Sequence, residues 1–257
     1  MTGAFTIAKR DFKSYFSGPG FYIWAFIFLG FLSYTYSLVL QHFARQSFQF
    51  MMQTQGRGGG LNLHTEVIVH HISNVNLILL FISPFLTMKL FAEEKKMRTF
   101  DLLLTAPVTA TEIVLGKFLA GFGVVFALIG LSTIYPIATT LFADVQWGPL
   151  GSAYLGLVFL AAAYVAIGVF ASSLTDSIIT AGIVSFILSL FLWFIAWSGV
   201  VVEDTTMQSV LQHFSVSQHF GQFVRGSLEL KSFVFYLSVI FVYCFLAQRV
   251  VESHRWR

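Results

Sequence analysis

The sequence predicts an all-α polytopic membrane protein with about six transmembrane helices. Three observations carry that prediction. The chain of 257 residues is 56% hydrophobic and 17% aromatic, with only 11% charged residues, where soluble domains carry roughly a quarter. Its apolar residues fall in uncharged runs long enough to cross a bilayer, separated by polar turns. Its bases are strongly biased toward one side of those runs. The net charge of +3 is small and unclustered, which argues against nucleic acid as a partner. The lone Cys244 cannot form an internal disulfide and reads as a small apolar residue.

The first stretch, AFTIAKRDFKSYF, is amphipathic. Phe5, Ala8, Phe12 and Tyr15, with Phe16 beside them, repeat at helical spacing, while Lys9, Arg10 and Lys13 lie elsewhere. SGPG at 17–20 ends it. Residues 1–20 therefore form an N-terminal amphipathic interface helix on the membrane surface, its bases toward lipid headgroups or a partner. Phe21 to Leu40 follow without a charge, at spanning length. That run exceeds a signal-peptide core and no small-x-small cleavage site follows, so it is expected to be a retained first span.

A polar segment from Gln41 to about Val69 contains the glycine-rich tip QTQGRGGG. The second span is expected at Ile72–Phe91, the third at Ile113–Phe142, the fourth at Gly151–Ser172, the fifth at Ile178–Val202 and the last at Phe233–Gln248. An external amphipathic segment, 203–232, precedes the last span and opens with a helix-start signature in EDTTMQSVLQHF. Six spans put both termini on one side. That side holds Lys9, Arg10, Lys13, Lys89, Lys95, Lys96, Arg98, Lys117, Arg249, Arg255 and Arg257, against Arg45, Arg57, Arg225 and Lys231 opposite. The bias places both termini in the cytoplasm.

The second span carries Asn74, Asn76 and Ser83. Polar groups are costly in lipid, so these face the bundle interior, as interhelical hydrogen bonds or as lining of a pathway. Small residues four apart, such as Ala162 with Ala166 and Ala181 with Ser185 and Ser189, predict close helix packing within the subunit. His64, Glu66, His70 and His71 cluster at the outer mouth, where a metal is chemically conceivable, but no second ligand motif accompanies them. No metalloprotease or nucleophile-elbow motif is present. Thr111 and Phe118 occupy obligatory positions of a phosphate loop around Gly116-Lys117, so this chain has no ATP site of that kind. No catalytic, cofactor-binding or metal residue is assigned.

The most charged stretch is FAEEKKMRTFDLLLTAPVTATEIVLGKF, between spans two and three. Thr99 can cap a short helix bearing Leu102, Leu103 and Leu104, Pro107 stops it, and Thr109 with Glu112 fits a capping box that opens the third span. A connector would need only a few turn residues. The expectation is a docking surface for a cytosolic partner.

This loop resembles the cytoplasmic loop of ABC-2 type permeases, whose pattern E-E-(K/R)-x-x-G-T-(x)-E-x-L-L-x-x-P is followed by G-K at the next span. The stretches AKRDFKSYFSGPGFYI, FLAAAYVAIGVFASSLTDSIITAG and SQHFGQFVRGSLELKSFVFYLSV are similar to the gliding-motility type permease subunit of that superfamily. Arg98 stands where that family usually has glycine, and Asp101 where it has glutamate. The resemblance implies a single transmembrane domain over 1–257, with residues 92–110 holding a cytoplasmic coupling helix. It implies that Glu93, Glu94, Thr99, Asp101, Leu102, Leu103, Leu104 and Pro107 couple to a separate cytosolic ATPase, which would hold ATP and Mg. It also implies a second permease subunit, a homodimer mate or a companion with a periplasmic domain, in the bacterial inner membrane. The implied function is export or conformational work driven by that ATPase. The alternative is a non-transport machine that passes mechanical work to the companion.

Overall fold

The computed structural model describes residues 2–53, 62–105, 107–201, 213 and 215–255. Nearly all of them are helical, and none of the described residues lies in a strand. The order is α1 (Thr2–Ser17), α2 (Pro19–Gln53), a π-helical turn (His64–Ile68) running into α3 (Val69–Thr87), α4 (Lys89–Lys96), α5 (Phe100–Thr105), α6 (Ala110–Ser132), α7 (Ile134–Thr139), α8 (Trp147–Leu174), α9 (Ile178–Val201), α10 (Val216–Val224) and α11 (Leu230–Arg255). Six stretches are long and apolar enough to cross a membrane: Pro19–Gln53, His64–Lys96, Ala110–Thr139, Trp147–Leu174, Ile178–Ile195 and Leu230–His254.

The expected spans all exist, with altered ends. α2 does not stop at Leu40 but runs to Gln53, a helix of 35 residues and about 52 Å at 1.5 Å per residue. QHFARQSFQFMM contains no proline or glycine, so nothing in it breaks the backbone ladder as the helix leaves the apolar layer. After Gln53 the glycine-rich tip lies outside the described residues, as does all of EDTTMQSVLQHF except His213. The third span breaks at Thr133, and Pro136 lies in the short α7 that follows.

The bundle is built around α8, whose apolar window is 78% buried, while those of α2 and α11 are 22% and 17% buried. Small residues make that central position feasible. A Cβ on Gly168 would fall 1.9 Å from Thr87 Oγ1 of α3, and one on Gly156 would fall 2.6 Å from Phe223 Cβ of α10. Such contacts let helices approach where lipid offers no competing hydrophobic drive. Ala162, Ala166, Ala181, Ser185 and Ser189 are likewise buried inside the subunit.

Pro84 lies inside α3, and the helix yields one turn later at Met88. In the first turn of α4, the amides of Phe91 and Ala92 donate to Ser172 Oγ of α8 at 2.8 and 3.1 Å. That hydroxyl in turn donates to the Met88 carbonyl at 3.1 Å. A side chain inserted into the ladder is a recognised cause of a helix kink. Here it redirects the end of the second span and thereby aims the charged elbow.

Candidate functional site

The elbow begins where α4 ends. Arg98 N–H donates to the Lys95 carbonyl at 3.1 Å and Thr99 N–H to the Glu94 carbonyl at 2.9 Å. This is the paired bonding of a Schellman end, which needs a left-handed residue after the C-cap. Arg98 is that residue, with φ of 56°. The glycine usual at this position is therefore the residue that the backbone favours. The Thr99 hydroxyl adds a bond to the Glu94 carbonyl at 3.3 Å.

α5 follows immediately and supplies the predicted short helix of six residues. Phe100 is buried against Phe91, with ring centroids 6.0 Å apart, and against His254 of α11 at 5.8 Å. Leu103 is half-buried on the protein's own core, whereas Asp101 and Thr105 are exposed. Leu102 and Leu104 belong to the same helix. Pro107 sits exposed in the bend before α6. The capping box is present: Thr109 Oγ1 accepts from the Glu112 amide at 3.2 Å, and Glu112 Oε2 accepts from the Thr109 amide at 3.1 Å.

The two residues Gly116 and Lys117 explain how α1 joins this elbow. α1 packs along α6 with Ala4, Ile7 and Ala8 buried. A Cβ on Gly116 would stand 2.8 Å from both the Ala4 carbonyl oxygen and Ile7 Cβ, so glycine permits the close approach. That approach sets which residues of α1 face the protein. Ala8 and Tyr15 point inward, and Tyr15 donates to the Leu86 carbonyl. Phe5, however, is 69% exposed and Phe12 37% exposed, with Phe12 also lying over Gly123. Phe16 packs on the core beside Phe21, and Lys9 is exposed. The face of α1 that packs on α6 carries the small Ala4 and Ala8 with Ile7, and Phe5 and Phe12 lie to its side.

Lys117 is 1% exposed despite its charge. Its ammonium lies 2.8 Å from Glu94 Oε2 of α4, 3.2 Å from Asp11 Oδ2 of α1, and also donates to the Leu90 carbonyl. Two of these contacts are hydrogen bonds, to Asp11 and the Leu90 carbonyl, and the one to Glu94 is an ion pair. The face of Phe91 lies 5.0 Å away. Arg10 closes the cluster from outside, 2.7 Å from Glu94 Oε1 and 2.8 Å from Asp11 Oδ1. Burial opposes the Arg10 charge, but the hydrogen bonds and charges of Asp11 and Glu94 outweigh it and hold its pKa above the ordinary value. Glu94 is therefore an internal tie between α1, α4 and α6.

Lys95 makes the complementary tie. Its ammonium donates to the Ser173 carbonyl at 2.6 Å, lies 3.0 Å from His254 Nε2 and sits 5.5 Å from the Phe100 ring. Neighbouring residues 94 and 95 thus bind the elbow to α1 and α6 on one side and to α8 and α11 on the other. Glu93, partly exposed, faces a cavity beside α1. Sequence reasoning missed Asp11 and Lys117 as members of the site. The signal was available: a lysine inside an apolar span demands a partner.

The polar residues of α3 divide. Asn76 Oδ1 accepts from Tyr164 of α8 at 3.2 Å, an interhelical bond. Asn74 is half-buried. Ser83 is 1% exposed, and its carbonyl accepts from Thr87 Oγ1 at 2.8 Å. At the opposite end, His71 is buried between the rings of Tyr36 and Tyr135, with centroids 5.0 and 5.4 Å away. Among the described residues no group of three or more His, Cys, Asp or Glu side chains could hold a metal.

Comparison with known families matches residues 5–256 to a family model described as ABC-2 family transporter protein. No curated protein gives a significant match.

Proposed function

The chain belongs to the ABC-2 family of transporter proteins, and from that premise we propose that it couples ATP hydrolysis in a separate cytosolic ATPase to movement of its own spans. Its family makes it a multi-pass membrane component of an ABC system. In this reading the ATPase docks on the outer side of the elbow, where Met97, Arg98, Asp101 and Thr105 are exposed. Leu102 and Leu104 belong to the same short helix, and Phe5 and Lys9 are exposed on α1. Both termini then lie in the cytoplasm of a bacterial inner membrane.

The observation that carries the proposal is the double anchoring of the elbow through Glu94 and Lys95. A push on α5 cannot be absorbed by a slack loop, because residues 94 and 95 tie its base to α1, α6, α8 and α11. The elbow also continues the second span through the Ser172 kink. Nucleotide-driven closure of the ATPase is thereby linked to the positions of the spans. The ATPase supplies the ATP and Mg chemistry, and this chain binds neither. A second permease subunit completes the assembly, and the similarity to the gliding-motility type favours a companion with its own periplasmic domain.

Purification of the tagged protein from its native membrane in mild detergent tests this. A stoichiometric ATPase whose turnover rises when this chain is present supports the coupling. Purification without any nucleotide-binding chain, under conditions that preserve other ABC assemblies, contradicts it.

A further inference from the structure

A cavity of about 620 Å³ lies beside the elbow, enclosed by α1, the start of α2, the end of α3 and α4. Its volume falls within the range of small-molecule sites, roughly 300–1,000 Å³. The two halves of its wall differ. Toward the bilayer interior it is made by Phe21, Ile23, Trp24, Phe85 and Leu86. Trp24 and Phe85 stack there with ring centroids 4.6 Å apart. Ile23 and Phe85 are 56% and 44% exposed, so this half opens sideways from two spans into the surrounding lipid. Toward the termini the wall is charged, by Arg10, Lys89 and Glu93 among others.

Those charges are not all accounted for within the protein. The buried ammonium of Lys117 is neutralised by Asp11 and Glu94. Lys89 is exposed and Glu93 half-exposed, one helical turn apart on α4, and among the described residues neither carries an ion-pair partner. One cationic and one anionic group therefore face the same cavity, above an aromatic floor that opens to the bilayer. Arg10, with 55% of its side chain exposed, adds a guanidinium edge on the same rim.

We propose that this cavity holds one membrane phospholipid with a zwitterionic, primary-amine headgroup. Its phosphate lies between Lys89 and Arg10, its ammonium on Glu93, and an acyl chain runs over Trp24 and Phe85. Charge-assisted hydrogen bonds to phosphate suit both bases. A purely anionic headgroup would leave Glu93 facing like charge, which disfavours it. Tryptophan at this depth matches the preference of its ring for the headgroup boundary. Gly18, between α1 and α2, and Pro19 and Gly20, which open α2, also line the site. The lipid then seats between the interface helix and the elbow. The inference rests on membrane insertion and not on the ATPase, so it can fail or hold independently of the coupling proposal.

The test uses the delipidated full chain in a non-ionic detergent. Phosphatidylethanolamine and phosphatidylglycerol are added in equal amounts, and retained lipid is read by native mass spectrometry. One phosphatidylethanolamine per chain should persist under activation that strips phosphatidylglycerol. Lys89→Ala with Glu93→Ala should lower that retention about tenfold, as expected for losing charged hydrogen bonds. Lys13→Ala, an exposed base outside the cavity, should leave it unchanged. Equal retention of the two lipids overturns the proposal, as does undiminished binding in the double variant or an equal loss in Lys13→Ala. If the double variant does not fold, a photoreactive phosphatidylethanolamine on the unaltered chain decides. Cross-links at residues 21–24 and 85–89 support the site, and cross-links confined elsewhere refute it.

Discussion

Replacing Lys117 by methionine removes one buried charge while keeping the length of the side chain. Its ammonium now satisfies Glu94, Asp11 and the Leu90 carbonyl. In Lys117→Met the two carboxylates, whose side chains are only 20% and 13% exposed, face one another with Arg10 as the sole remaining base. Breaking a buried pair on one side costs roughly 3–5 kcal/mol. Arg10 still binds both carboxylates, and both retain some water, so the expected loss is about 2–4 kcal/mol. Unfolding in mixed micelles titrated with a denaturing detergent measures it. The same variant should free α1 from α6, so a thiol placed by Ala8→Cys, now buried, should label faster. Adding Glu94→Gln should recover part of the loss, with a coupling energy of about 1–3 kcal/mol. A loss under about 0.5 kcal/mol, with no coupling to Glu94, would refute the idea that this cluster holds α1 to the elbow.

Gly116→Val should push α1 off α6, costing about 1–3 kcal/mol by overpacking and exposing the Ala8→Cys thiol, whereas Gly130→Val, with nothing within 4 Å of its Cβ, should change labelling little. Arg98→Gly should stabilise the elbow by about 1 kcal/mol, read by micellar unfolding, because the left-handed φ of 56° is strained for arginine. His219 on α10 is buried, with its ring nitrogens 3.0 Å from Ser232 Oγ and 3.0 Å from the His213 carbonyl. Burial, reinforced by Lys231, lowers its pKa below the ordinary 6.5 despite the opposing pull of the His213 carbonyl and Glu229. The unfolded chain then takes up the proton first, so the packing of α10 should weaken as pH falls below about 6.5. His219→Gln should flatten that pH dependence in hydrogen exchange of residues 216–224.

The six spans were legible because an uncharged run of some twenty residues has few alternatives to crossing a bilayer. The Thr109–Glu112 capping box was legible because its bonds are local, three residues apart. The parts that escaped depend on contacts far along the chain. Asp11 and Lys117 are 106 residues apart, and neither motif nor periodicity joins them. The face of α1 that meets the protein is set by the glycine opposite it on α6, a contact 112 and 109 residues away in sequence from Ala4 and Ile7 that no periodicity shows. Ser172 reads as a small packing residue, but it fills the gap in the α3–α4 ladder. Leu103 was legible as apolar but not as partly spent on the protein's own core. Met97, Arg98, Asp101 and Thr105 are exposed beside it. The departure at Arg98 was visible in the sequence, and its meaning emerged only with the backbone angle.

The central claim is that the elbow is the contact through which an ATPase drives the spans. The direct measurement is a zero-length disulfide or short-linker cross-link from Asp101→Cys, an exposed position on α5, in native membranes, followed by identification of the product. The account predicts a single major adduct with a nucleotide-binding chain, whose yield changes when a non-hydrolysable ATP analogue is added. An Asp101→Cys thiol that labels freely with soluble reagent yet gives no such adduct, while the assembled complex remains active, would contradict it.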